Sequence, residues 1–283
     1  MKEPIYYLDG RFLARSQAKV SVWDMGFLRS YGAVDFLITY NQKPFRLDDH
    51  LARFYMSSKL LGIKIPKEPK ELKKIVFETL VKNNFEESAI WLIVTGGVGP
   101  TSMIPAKKAN LIIMVDPNQP YPVSCYQEGV KIITFKGNRL LPAAKSMIYT
   151  LAIKALNQAY EKKAVEALYL DKGRVTECMT SNFFSVKKGE LFTAKDKDVL
   201  WGITRQVVLE ICKNNFKVVK KDLSLREVLS ADEAFLTASN KEIMPVVQID
   251  EQHIGNGRVG LVTKKLSNLF HQQVEKKLVS YSS

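Results

Sequence analysis

The chain has 283 residues, 46% apolar and 25% charged, with 42 Lys and Arg against 29 Asp and Glu, a net charge of +13. That length holds about two domains, and the apolar content excludes disorder as the main state. No apolar run reaches the roughly 18 residues of a membrane span, and the opening MKEPIYYLDG has no apolar stretch for a secretory leader.

Taken in chain order, Ile5–Leu8 and Arg11–Leu13 flank Asp9-Gly10, a favoured two-residue hairpin turn. A second hairpin is predicted from Val34 to Tyr40, turning at Asn41-Gln42 and returning through Pro44-Phe45. Apolar spacing predicts a helix from Leu47, with Asp48 and Asp49 in its first turn and Gly62 as its stop. Another helix is predicted over Lys70–Lys82, then strands at Ile90–Val94 and Leu111–Val115. Pro117, Pro120 and Pro122 interrupt any regular element and mark a linker.

Beyond the linker, strands are predicted at Val130–Phe135, Glu166–Leu170, Asn182–Val186, Ala234–Thr237 and Val246–Ile249. A helix is predicted after Pro142, with Tyr149, Ile153, Leu156 and Tyr160 as its apolar face. Gly202 leads into a second helix, and Val259 to about Lys276 forms a third. The pattern is α+β (mixed α/β) in two domains: 1–116 as a smaller N-terminal domain, 117–124 as linker and 125–283 as a larger C-terminal domain.

The three cysteines (Cys125, Cys178 and Cys212) are widely spaced and odd in number, which points to free thiols in a reducing, cytoplasmic setting. The positive charge is dispersed among glutamates, with no nucleic-acid motif and no aromatic-interleaved basic stripe. His50, His253 and His271 lie far apart, and no spacing matches a metal site.

Four stretches can carry chemistry. Lys145 stands among apolar residues in LLPAAKSMI, where desolvation favours a neutral, nucleophilic amine; the ordinary alternative is an exposed lysine at a helix start. His50 and Arg53 share a helix face, as a phosphate fork or as a surface basic pair. Gly202-Ile203-Thr204-Arg205 enters a helix whose first N–H groups can bind an anion. Glu177 precedes a Thr/Ser/Asn cluster and either faces a cavity or is a loop glutamate.

The order of HxxR at 50–53, Lys145, VTE and SN within 175–182, GITR at 202–205 and Ser239-Asn240 resembles the fold-type IV pyridoxal-phosphate-dependent aminotransferases across essentially the whole chain. That family includes D-amino acid aminotransferases, branched-chain aminotransferases and aminodeoxychorismate lyases. The resemblance implies a cofactor site between two lobes, with Lys145 as its covalent anchor in the C-terminal domain and then as proton shuttle. It implies Glu177 beside the pyridine nitrogen, and Arg53, Ile203, Thr204, Ser239 and Asn240 around the phosphate. It also implies a homodimer whose partner loop helps close each site.

The Arg-x-His pair of many D-specific relatives is absent from Thr95–Pro100, and the arginine of the branched-chain pattern is absent from Val34–Thr39. Leu28–Gly32 and the TGGVGP loop resemble a smaller subgroup, some of whose members act on D-amino acids. There Arg29 would bind the substrate carboxylate, with Val34 and Phe36 in the side-chain pocket beside Trp201. The expected activity is ping-pong transfer of an amino group between an amino acid, leaning to the D form, and a 2-oxo acid. A branched-chain L-aminotransferase and a 4-amino-4-deoxychorismate lyase are the alternatives.

Overall fold

A computed structural model describes residues 3–279. The chain forms two compact units: the described part of Met1–Gln119, Ala144–Ile148 and Lys277–Ser283, and Pro120–Ala143 with Tyr149–Lys276. No helix among the described residues is long and apolar enough to cross a membrane.

The first unit runs β1 (Ile5–Leu8), β2 (Arg11–Ala14), α1 (Met25–Arg29), β3 (Gly32–Tyr40), β4 (Lys43–Pro44), α2 (Leu47–Leu60), α3 (Pro69–Asn83), β5 (Ser88–Thr95) and β6 (Asn110–Pro117). Its six strands form an antiparallel sheet in the order β2-β1-β6-β5-β3-β4. Both predicted hairpins are present. Asp9 and Gly10, then Asn41 and Gln42, take the positive φ of a tight turn matched to the strand twist. Ala33 and Leu37 of β3 pack with Leu47, Leu51 and Phe54 of α2 and Leu72 and Val76 of α3. One face of the sheet therefore supports both helices, as strand alternation requires.

The second unit runs α4 (Ser124–Gln127), β7 (Val130–Lys136), α5 (Thr150–Glu161), β8 (Glu166–Asp171), β9 (Arg174–Cys178), β10 (Asn182–Lys187), β11 (Glu190–Thr193), α6 (Ile203–Cys212), β12 (Val218–Lys220), β13 (Leu223–Ser224), α7 (Leu225–Leu229), β14 (Glu233–Ala238), β15 (Glu242–Ile249), β16 (Gln252–His253) and α8 (Leu261–Val279). These strands make a mixed ten-stranded sheet in the order β12-β11-β10-β14-β15-β7-β8-β9-β13, with β16 on β15.

Two expectations need correction here. The helix predicted after Pro142 begins only at Thr150, and its buried face is Ala152, Ala155 and Ala159. Ile153 and Tyr160 are exposed, because small side chains let the helix lie close on β7 and β8. Residues 144–148, including Lys145, belong to the first unit and not to the C-terminal domain. The reason is backbone pairing: Val34 N–H donates to the Lys145 carbonyl and Met147 N–H to the Gly32 carbonyl, both at 2.9 Å. An antiparallel bridge joins Ala33 and Ser146.

Candidate active site

The residues singled out by sequence divide between the units. Lys145, Arg53, Arg29, Val34 and Phe36 lie on the first; Glu177, Ile203, Thr204, Ser239 and Asn240 lie on the second.

On the first unit, the Lys145 backbone is held from two sides. Its carbonyl accepts from Val34, and its N–H donates to Ser57 Oγ on α2 at 3.0 Å. Ser57 is one turn beyond Arg53, so α2 carries both the arginine and a support for the lysine. Arg53 is buried and forks onto Asp35: Nε donates to Oδ2 and Nη2 to Oδ1, each at 2.8 Å. His50 Nδ1 lies 2.7 Å from the same Oδ1. Burial would raise the Asp35 carboxyl, but the Arg53 guanidinium and His50 outweigh it and hold it well below the usual carboxylate range. Burial pushes the His50 imidazole down, against the pull of Asp35. A neutral His50 then donates its Nδ1–H to Asp35.

Sequence reading missed Asp35. The available signal was a lone acid in an apolar strand, at a position that alternates onto the helix-covered face with Ala33 and Leu37. The other candidates on this unit are placed as follows. Val34 is buried on the opposite face of β3, and Phe36 packs edge-to-face on Trp91 with ring centroids 4.7 Å apart. Arg29 is exposed on α1, where its Nη2 reaches Ser102 Oγ at 3.3 Å. Buried Asp24 fixes that region by accepting from Gly26 N–H (2.6 Å), Thr95 Oγ1 (2.8 Å) and Asn110 Nδ2 (2.6 Å).

On the second unit, Glu177 is buried near the end of β9 and not in a loop. Asn182 Nδ2 donates to its Oε2 at 2.9 Å, and the Leu200 N–H lies 3.1 Å from the same oxygen. Arg139 Nε stands 3.1 Å from Oε1 but off the line of a hydrogen bond, while its Nη2 donates to the Met179 carbonyl at 3.3 Å. Arg139 was also missed by sequence, because it lies in the irregular stretch after β7.

Asn182 also sets the entry to α6. Its Nδ2 donates to the Leu200 carbonyl at 2.9 Å, and a Cβ at Gly202 would sit 1.9 Å from its Oδ1. Only glycine fits there. Gly202 caps α6 without a side-chain hydrogen bond, so the first N–H groups, with buried Ile203 and Thr204, are left for an anion or water. Arg205 ties this turn to the end of β11, donating to the Ala194 carbonyl (2.9 Å) and to Asp196 Oδ1 (2.7 Å). Ser239 and Asn240 form the β14–β15 turn. Buried Thr237 Oγ1, opposite Asn182 in the sheet, and Gln206 Nε2 on α6 have no hydrogen-bond partner among the described residues.

This donor set fits pyridoxal phosphate. An uncapped helix start, a hydroxyl turn and orphaned buried polar atoms suit a phosphate. A buried carboxylate suits a protonated ring nitrogen; the first unit, taken by itself, carries in Lys145 an amine of the kind a covalent anchor needs. Among the described residues, no three His, Cys, Asp or Glu side chains come together as metal ligands.

The comparisons agree with this chemistry. The family model "Amino-transferase class IV" matches residues 32–249. A putative branched-chain-amino-acid aminotransferase from Methanocaldococcus jannaschii is 38% identical, covering 93% of this chain and 94% of the relative. A D-alanine aminotransferase from Bacillus licheniformis is 31% identical, covering 94% and 95%. A branched-chain amino acid aminotransferase of T.th., solved with pyridoxamine 5'-phosphate, superposes with a TM-score of 0.90 at 28% identity, covering 97% of this chain and 95% of that one. Matched along most of its length in sequence and in fold, this chain belongs to the class IV aminotransferases, enzymes that depend on pyridoxal phosphate.

Proposed function

We propose that the enzyme transfers the amino group of a D-amino acid to a 2-oxo acid with pyridoxal phosphate as its cofactor. The observation that carries the transaminase reading is the buried Glu177 held by Asn182 and Leu200 beside the uncapped α6 entry on the second unit; the backbone-clamped Lys145 of the first unit supports it.

When bound, pyridoxal phosphate supplies the electron sink and the carrier for the amino group. Lys145 would be its covalent anchor, and its free amine would be the base that takes the proton from the substrate Cα. Glu177 keeps a proton on the ring nitrogen through its negative charge. The α6 entry at Ile203 and Thr204, the Ser239-Asn240 turn and Arg53 hold the phosphate. Arg53 is already committed to Asp35 through Nε and Nη2, so it would act toward a phosphate as a fixed cation and not as a fork.

Arg29, tethered to Ser102, takes the substrate carboxylate, and the D-alanine aminotransferase relative of Bacillus licheniformis supports the D-amino acid reading. The branched-chain L reading has its own support in the apolar Phe36–Trp91 pair and in the Methanocaldococcus relative. Exposed Trp23, Phe27, Met103 and Ile104 flank α1 and the loop after β5. That apolar surface, on a framework fixed by Asp24, supports a homodimer. The three free cysteines support a cytoplasmic setting.

The test follows conversion of the bound cofactor with D-alanine, D-glutamate, L-leucine and L-glutamate in separate cuvettes. Conversion by D-substrates alone is expected, with KM for the D-substrate rising about tenfold or more in Arg29→Ala while cofactor affinity holds. Conversion by the L-substrates alone replaces this reading with the branched-chain one. An unchanged KM removes Arg29 from the carboxylate site.

A further inference from the structure

The second unit contains a charged cluster that the transamination chemistry does not use. Glu166, on β8, is fully buried, and Lys241, directly after Ser239 and Asn240, is 3% exposed. Lys241 Nζ lies 3.2 Å from Glu166 Oε2 and donates to Thr180 Oγ1 at 2.8 Å. Thr180 Oγ1 and Ser181 Oγ donate in turn to Glu166 Oε2, at 2.6 and 2.9 Å. The Lys241 ammonium also sits 5.5 Å from the centre of the Tyr121 ring. Glu166 Oε1 has no hydrogen-bond partner among the described residues. Cys178 adjoins the cluster, but burial pushes its thiol well up, so it carries no thiolate chemistry.

The cluster joins two turns that are distant in sequence. One is the β9–β10 turn, where Cys178 N–H donates to the Ser181 carbonyl at 2.8 Å, and which lies between Glu177 and Asn182. The other is the three-residue turn of Ser239, Asn240 and Lys241, closed by Lys241 N–H on the Ala238 carbonyl at 3.2 Å and by Glu242 at positive φ. In each turn, neighbouring residues divide the labour. Glu177, Asn182, Ser239 and Asn240 are the cofactor residues, whereas Thr180, Ser181 and Lys241 turn inward to Glu166.

We propose that Glu166 and Lys241 are positioning residues that fix the Ser239-Asn240 turn against the Glu177–Asn182 turn and so set the affinity for the cofactor phosphate. The physical reason is the cost of the alternative. A buried ion pair with isosteric neutral replacements is often no less stable, so stability alone does not account for this one. What the charges add is one definite geometry: Lys241 cannot leave without stranding Glu166, and the turn cannot shift without moving Lys241. The inference rests on the assignment of Ser239 and Asn240 to the phosphate.

The experiment compares the full-length enzyme with Glu166→Gln/Lys241→Met, Lys241→Met and Ser239→Ala. It measures the Kd of pyridoxal phosphate, the Kd of pyridoxal, which lacks the phosphate, and the apoenzyme Tm. Lys241→Met alone leaves Glu166 uncompensated and lowers the Tm sharply. The double variant is expected to recover the Tm yet bind pyridoxal phosphate about tenfold more weakly, the equivalent of one misplaced charge-assisted hydrogen bond. Its pyridoxal affinity is expected to stay within about twofold, well inside the tenfold change expected for the phosphate ligand. Native phosphate affinity in the double variant, or equal loss for both ligands, overturns the positioning role. Native affinity in Ser239→Ala overturns the phosphate assignment itself, and the inference with it.

Discussion

Asp35 and Glu177 are both carboxylates buried in a sheet, one in each unit, each with an arginine beside it, and they differ in how they are hydrogen-bonded. Asp35 receives the Arg53 fork and a histidine. Glu177 is met by the Asn182 side-chain amide and the Leu200 backbone N–H, with Arg139 beside it but off a hydrogen-bond line. A carboxylate locked by a bidentate guanidinium is neutralised in place and serves to hold. Glu177 takes neutral N–H donors at hydrogen-bond geometry and has the Arg139 guanidinium 3.1 Å away as an ion-pair neighbour, not as a fork. Each acid has an arginine beside it, so the difference is geometric: the guanidinium is forked onto Asp35 and off the hydrogen-bond line at Glu177.

The largest effect should come from breaking the first of these. Asp35→Asn strands the buried Arg53 cation, and urea unfolding of the apoenzyme should show a loss of about 3–5 kcal/mol. The folded-state carboxyl is held low, so its contribution is present above the unfolded value of about 3.9 and is lost as pH falls below it. Asp35→Asn should accordingly flatten the acid limb of the stability curve below about pH 4. An unchanged unfolding midpoint would mean that the fork contributes nothing to the fold.

Glu177→Gln probes the second carboxylate and should separate stability from rate. The Asn182 and Leu200 donors keep an acceptor in the isosteric amide, while the charge proposed for the ring nitrogen disappears and Arg139 loses its ion-pair partner. The turnover number should fall by about a hundredfold or more, in line with the removal of one preorganised electrostatic contact. The unfolding midpoint should move less than in Asp35→Asn, because Arg139 is not forked onto Glu177 and keeps its hydrogen bond to the Met179 carbonyl, whereas Arg53 loses a bidentate partner. The reverse ranking of the two variants would erase the distinction between them.

A smaller effect comes from His50. Its folded-state value is pushed down, chiefly by burial, so its contribution is present above about pH 6.5 and lost as pH falls. Stability should decline from pH 7 toward pH 5, by about 1.4 kcal/mol for each unit of difference between the two states. His271, raised by Glu242, works the other way: it contributes below its unfolded value and loses that contribution as pH rises. The slope is best read in a His271→Gln background, where adding His50→Gln should remove it. A slope that survives both changes belongs to other groups.

Much of the fold is legible in the sequence because local rules decide it. Asp9-Gly10 and Asn41-Gln42 supply the positive φ that their turns need, and Gly62 stands just past the end of α2. α5 misleads because large side chains mark a stripe while alanines make the contact. The Lys145 segment misleads because its hydrogen bonds go to β3 and α2, which precede it by far in the chain. Within the candidate site, the residues found first lie in short motifs, as Gly202, Ile203 and Thr204 do. Asp35, Arg139, Glu166 and Lys241 were missed because their meaning lies in distant partners, and no spacing rule links residues that meet only in the tertiary structure.

One spectrum decides whether the clamped lysine of the first unit holds the cofactor. Native enzyme and Lys145→Ala are each supplemented with pyridoxal phosphate and followed in the visible range on addition of D-alanine, with circular dichroism to confirm the fold. The native enzyme should show the band of lysine-bound cofactor and lose it on addition of the amine. Lys145→Ala should show only the band of free cofactor, and its transamination should fall by at least about a thousandfold. A folded Lys145→Ala enzyme that kept both the band and near-native turnover would contradict the account.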